Sequence, residues 1–237
     1  MILSLECLKL KRTGFFPAVL TGGVLSSMIP AVNMAVRSDT FTSLPGNPLV
    51  ILLNANWQLM AMLNLLVVIC GTCIMYHTEY SDNALQKMQA LPCSQFSLFL
   101  GKFGIMALSS LLCILLEFLS VAFCALHWFP NTRIPLTELA ETAGYAAFLM
   151  LPACMLMLVI ASACRNMWIS LGTGVFLLFA ATLIPDDHTI VSLFPFAMPF
   201  NIFPTGGISL SLLAAGAETA LFFAAEPVYL TVRRSLS

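Results

Sequence analysis

Two carboxylates stand where a membrane-length run rarely places them. Glu117 and Glu218 fall near the middle of stretches that are otherwise apolar. A charged side chain at the centre of a bilayer costs about 2.5–3.5 kcal/mol on insertion scales, so each acid calls for a partner or a use. No Lys or Arg lies in a predicted span to pair with either. Three arrangements fit the residues. The carboxyls can be neutral, can hydrogen-bond across helices to Ser109, Ser110, Ser209 or Ser211, or can face a hydrated path at a subunit interface that attracts cationic amphiphiles.

Other groups capable of chemistry are scattered. Cys70 and Cys73 have the spacing of a redox or metal pair, but no second Cys or His pair is near enough in sequence to complete a zinc site. Two small buried residues is the simpler reading. All eight cysteines (7, 70, 73, 93, 113, 124, 154 and 164) fall in predicted spans or on the predicted inner side, so no structural disulfide is expected. His77, His127 and His188 sit at separate predicted boundaries rather than around one metal. Trp57, Trp128 and Trp168, with Tyr76, Tyr80 and Tyr229, mostly mark interfaces by the same reading. No Ser–His–acid set or carboxylate pair points to catalysis. A phosphate-cradling Gly-x-x-x-x-Gly-Lys-Ser/Thr is also missing: Gly101-Lys102 has Phe at 96 and Phe103 where the glycine and hydroxyl would stand. Neither an enzyme nor a resident cofactor is expected from these residues.

The elements that must position the two acids are membrane spans. The chain has 237 residues, 59% hydrophobic and 9% charged, against roughly 25% charged in soluble domains. Its mean hydropathy is +0.95. A net charge of -1 gives no reason to expect a nucleic-acid partner. A spanning helix needs about 20 apolar residues. Six segments qualify: Phe15–Val36, Leu49–Met75, Phe103–Leu126, Leu139–Ala163, Met167–Ile184 and Ile208–Leu230. The first is too long for a signal-peptide core and is read as a retained anchor. With the N-terminus inside, Lys9, Lys11, Arg12, Lys87, Lys102, Arg165, Arg233 and Arg234 fall on the inner side, leaving only Arg37 and Arg133 outside. That asymmetry predicts cytoplasmic termini. Glu226 lies near the inner surface, within reach of Arg233 and Arg234.

Three segments between or before the spans carry further information. Met1 to Thr13 mixes Leu with Glu6, Lys9, Lys11 and Arg12, as a helix lying in the interface would. Tyr76 to Lys102 is a long polar island. Within it Ser81 or Asp82 can cap a helix, Ala84, Leu85, Met88 and Leu91 share one face, and Pro92 ends it. A docking helix and a plain solvated amphipathic loop both fit that periodicity. Pro185 to Gly207 alternates Pro195, Pro199 and Pro204 with Phe194, Phe196, Phe200 and Phe203. It is too broken to span, and a re-entrant outer hairpin or an ordinary packed loop both suit it, the former only if protein covers its backbone.

Glu79, Leu85, Leu91-Pro92, Leu100 and Gly101-Lys102 together resemble the cytoplasmic loop of ABC-2 type transporter permeases. The opening Leu5 to Thr13, with Glu6, Lys9 and Arg12, is similar to the start of such permeases, closest to the lantibiotic-immunity and bacitracin-export branch. Asn83-Ala84, where many members have a glycine, is also similar to that branch. The resemblance covers the whole chain in layout, but in motif only residues 5–13 and 79–102. It implies an all-α integral membrane fold of six spans in one permease domain (1–237). The loop 76–102 would couple to a separate ABC ATPase through Glu79, Asp82, Leu85, Met88, Leu91 and Pro92. By the same resemblance ATP and Mg would bind the partner ATPase. The permease would work as a homodimer or beside a related permease in a bacterial cell membrane, and the cargo would be an antimicrobial peptide that meets Glu117 and Glu218. An exporter of another amphiphile or lipid is a rival. So is an ATP-independent secondary transporter with Glu117 and Glu218 as proton-coupled carboxylates.

Overall fold

A computed structural model of the chain describes residues 2–81, 95–129, 135–164, 166–184, 190–202 and 210–236. Among them are seven α-helices: α1 (Ile2–Leu10), α2 (Phe15–Thr42), α3 (Pro48–Ser81), α4 (Gln95–Trp128), α5 (Leu136–Ala163), α6 (Met167–Thr182) and α7 (Leu210–Leu236). Two short 3-10 turns, Ile190–Leu193 and Met198–Phe200, precede α7. Helix α2, the segment Pro48–Tyr80, the segment Phe96–Trp128 and α5 are long and apolar enough to cross a membrane. The fifth predicted span appears as a shorter apolar helix, Met167–Thr182, and the sixth falls within α7, Leu210–Leu236.

Local chemistry sets several helix ends. Gly14, at φ 78, takes the left-handed turn between α1 and α2 that a side chain would resist. Asn47 accepts from the backbone N–H of Leu49 at 3.1 Å, and Pro48 supplies the fixed φ of a first turn. Asn166 caps α6 by accepting from Trp168 N–H at 3.0 Å.

Helix α3 is the hub. It packs against α2, α4, α5, α6 and the second 3-10 turn, and 67% of its apolar window is buried against 28% for α2. Helix α2 therefore keeps a broad apolar face (Leu20, Leu25, Val32, Val36) for lipid or another subunit. Small residues bring the backbones together: a Cβ at Gly23 would lie 2.9 Å from Cys113 Sγ on α4, so α2 and α4 touch where only glycine fits.

The polar island is shorter than the sequence predicts. Helix α3 runs on through Tyr76 to Ser81, and α4 begins at Gln95 rather than Phe103. Each is 34 residues, about 51 Å at 1.5 Å per residue, well beyond the roughly 30 Å of hydrocarbon. The extra turns hold because the charges on them pair with each other. The predicted docking helix, residues 81 to 91, lies almost wholly outside the described residues.

In the segment predicted from the sequence to be the outer one, residues 190–202 fold onto α3, α5 and α7. Phe196 and Met198 are fully buried. Backbone N–H groups of Ala197 and Met198 donate to Phe194 O at 2.7 and 3.0 Å. Asn201 Nδ2 donates to Ser192 O and to Ser211 Oγ on α7. Several of the segment's backbone groups are thus paired within the protein.

Candidate functional site

Two buried polar clusters stand on the seam between α3 and α4, one near the ends that flank the loop and one deep in the bundle. In the first, Lys102 of α4 donates to Glu79 of α3 at 2.6 Å and to Glu6 of α1 at 3.2 Å. Lys9 of α1 lies 2.5 Å from Glu6 and 3.8 Å from Glu79. Lys102 sits 5.4 Å from the Tyr76 ring centre, over its face. Two acids and two lysines leave the group neutral. Glu6, Glu79 and Lys102 are buried, whereas the Lys9 side chain is 41% exposed, so the inner three carry the energetics. One helical turn on, Tyr80 donates to the backbone oxygen of Ser162, fastening α3 to α5.

The second cluster centres on Glu117 of α4, which is 1% exposed. One carboxylate oxygen accepts from Ser26 of α2 and the other from Asn64 of α3, the latter at 2.9 Å. The Asn64 Oδ1 is buried and has no hydrogen-bond partner. Farther from the loop-flanking ends, Asn33 of α2 donates to Asn56 of α3 at 3.0 Å. Beside Glu117 lies a cavity of about 20 Å³ walled by Trp57, Asn64, Glu117, Phe118, Met150 and Pro199, among others. Trp57 donates its indole N–H to Pro199 O at 3.1 Å, closing that side with the outer segment.

The residues singled out from the sequence are thus distributed unevenly. Glu79 lies in the inner cluster and Glu117 in the deep one. Glu218 is half-buried on α7, with Oε2 shielded from solvent and lacking a hydrogen-bond partner among the described residues. Asp82, Leu85, Met88, Leu91 and Pro92 lie outside the described residues.

The partners of Glu117 differ from the serines predicted for it. Ser110 donates instead to Ala107 O in its own helix, and Ser211 accepts from Asn201. Ser26 and Asn64 take that role because α2 and α3, distant in sequence, flank α4 in space. Trp57 also departs from the interfacial reading: it is buried against Phe118 and Tyr145. The pairing of Glu6 with Lys102 had a signal in the sequence, since both belong to the two segments that carry the family resemblance, and both were predicted to lie at the inner side.

Among the described residues, an all-helical bundle with four membrane-length helices and its buried charges gathered on one seam defines the class as a multi-pass membrane protein. Residues 2–181 match the family described as ABC-2 family transporter protein, and the chain belongs to that family. The match takes in α1 to nearly the end of α6 and stops short of the outer segment and α7. No curated protein matches the chain. Membership makes this the membrane subunit of an ABC transporter, a part typically without catalysis of its own, and implies association with ABC ATPase subunits.

Proposed function

We propose that this chain is the permease of an ATP-driven exporter that clears membrane-active antimicrobial peptides, lantibiotic- or bacitracin-like, from a bacterial cell membrane. It would work as a homodimer or beside a related permease. ATP and Mg would bind only the partner ATPase.

The observation that carries the coupling half of this reading is the burial of Lys102 between Glu6 and Glu79. Helix α1 is thereby tied to both helices that flank the loop 82–94. A push on the loop or on α1 reaches the same joint. From there it passes along α3 and α4, which are stiff and lie in antiparallel register. The cargo half is supported by the opening motif and by Asn83-Ala84, which are similar to the immunity branch.

Co-expression with a candidate ATPase and affinity purification of the pair tests the coupling. A stable complex that is lost when Leu85, Met88 and Leu91 are replaced by Asp supports it. Several-fold protection of cells against nisin-like peptides or bacitracin, lost with an ATPase unable to hydrolyse ATP, supports the cargo. Efflux by the purified chain alone, driven by a proton gradient, would overturn the proposal in favour of a secondary transporter.

A further inference from the structure

The cavity beside Glu117 has an unusual wall. Its lining residues include Glu117, whose carboxylate oxygens accept hydrogen bonds, and Asn64, which is 4% exposed and whose buried Oδ1 is unpartnered. Both are acceptors. The indole N–H of Trp57 is already given to Pro199 O, and the Ser26 hydroxyl to Glu117. Two aromatic rings, Trp57 and Phe118, add their bodies to the lining, their centres 6.5 Å apart and nearly perpendicular. Among the described residues, no Lys, Arg or His lines the space.

A guest that only donates hydrogen bonds and carries positive charge answers every feature of that wall. An ammonium group has N–H donors and no acceptor, neutralises a buried carboxylate, satisfies a stranded amide oxygen and is attracted to aromatic faces. The size agrees. About 20 Å³ exceeds the roughly 10–15 Å³ needed to hold one water, and ammonium is about as large as water. A tetramethylammonium head has no N–H to give to either oxygen. An anion is repelled by Glu117.

We infer that Glu117, Asn64 and Trp57 form a binding site for one unsubstituted ammonium group, in a partly open cavity of a single permease subunit beside Pro199. Assigning that group to the cargo, as the amine of a cationic peptide, rests on the export reading. The site itself does not, and the following experiment uses the permease without an ATPase, so the two can fail separately.

Trp57 is the reporter. In protein carrying Trp128→Phe and Trp168→Phe, reconstituted in nanodiscs, Trp57 emission is titrated with ammonium chloride against potassium chloride at constant ionic strength. The expected result is a saturable change with ammonium, no such change with tetramethylammonium, and at least a tenfold weaker midpoint in Asn64→Leu. Glu117→Gln, nearly isosteric, is expected to abolish the change. The comparison of ammonium, potassium and tetramethylammonium in protein with Glu117 and Asn64 intact needs neither of those variants to fold. A response equal for all three cations, or none, overturns the assignment and leaves a water-sized cavity only. So does an unaltered response in Glu117→Gln whose helical circular dichroism matches the parent.

Discussion

Lys102 meets Glu79 at 2.6 Å fifteen residues along α4 from Glu117, and Glu117 meets Asn64 at 2.9 Å fifteen residues along α3 from Glu79. The two contacts are rungs of one antiparallel ladder, about 22 Å apart at 1.5 Å per residue. Apolar packing fills the seam between them, so the helices cannot slip against each other without breaking both rungs.

Removing Lys102 is the severest change at the inner rung. Lys102→Met leaves Glu6 and Glu79 with only the partly exposed Lys9 beside them, and breaking a buried pair in this way destabilises by about 3–5 kcal/mol. Lys9→Met, at a side chain 41% exposed, is expected to change stability by no more than about 1 kcal/mol. Thermal unfolding in nanodiscs distinguishes them. The triple variant Glu6→Gln, Glu79→Gln, Lys102→Met removes all three charges together and should unfold closer to the parent than Lys102→Met does. It should also show weakened stimulation of a bound ATPase by cargo, because α1 is no longer tied.

At the deep rung, a double-mutant cycle on Asn64→Leu and Glu117→Gln measures the coupling between the two residues. Hydrogen bonds between membrane helices are worth about 0.6 kcal/mol on average and about 1.7 at most. A favourable coupling within that range is expected from reversible unfolding in detergent. A coupling of zero would show that the contact does not hold α3 to α4.

Trp57→Phe keeps an aromatic ring but deletes the donor to Pro199 O. The outer segment should loosen while the bundle stays folded, with about 1 kcal/mol lost overall. Hydrogen exchange is the suitable readout: peptides covering residues 190–202 should exchange faster, and those from α3 and α5 should not.

Gly23 and Gly144 offer a matched pair. A Cβ at Gly23 meets Cys113 Sγ at 2.9 Å, whereas one at Gly144 meets nothing within 4 Å. Gly23→Ala is therefore expected to lower the unfolding temperature and Gly144→Ala to leave it unchanged or raise it. Cys113→Ala should relieve the first, because it removes the sulfur that the new methyl would strike.

Much of this could be read from residue order, and the remainder shows what residue order lacks. Apolar runs announced the long helices because a spanning segment must satisfy its own backbone. Their inner ends did not, because Glu79 and Lys102 look like solvated charges until each is seen as the other's partner. The helix at residues 2–10 was expected from its mixture of Leu and charges, but not its fixation through Glu6. Ser26 and Asn64 were missed because α2 and α3 precede α4 by many residues, and a lone Ser or Asn in an apolar run gives no sign of which neighbour it faces. Trp57 was misplaced for a related reason: aromatic residues near a span end usually anchor to headgroups, and only packing reveals that this one turns inward to the outer segment.

The different depths of the two rungs have a consequence for biogenesis. During synthesis α3 leaves the ribosome before α4, so Glu79 precedes Lys102 into position, and at a helix end it can remain hydrated while it waits. Glu117 has no such refuge. Its helix must settle between α2 and α3 as it enters the lipid, with Ser26 and Asn64 already there to receive it. The N-terminal half of the chain is thereby a template for the helix that follows, and a variant lacking either donor side chain should reveal itself first as a lower yield of inserted protein.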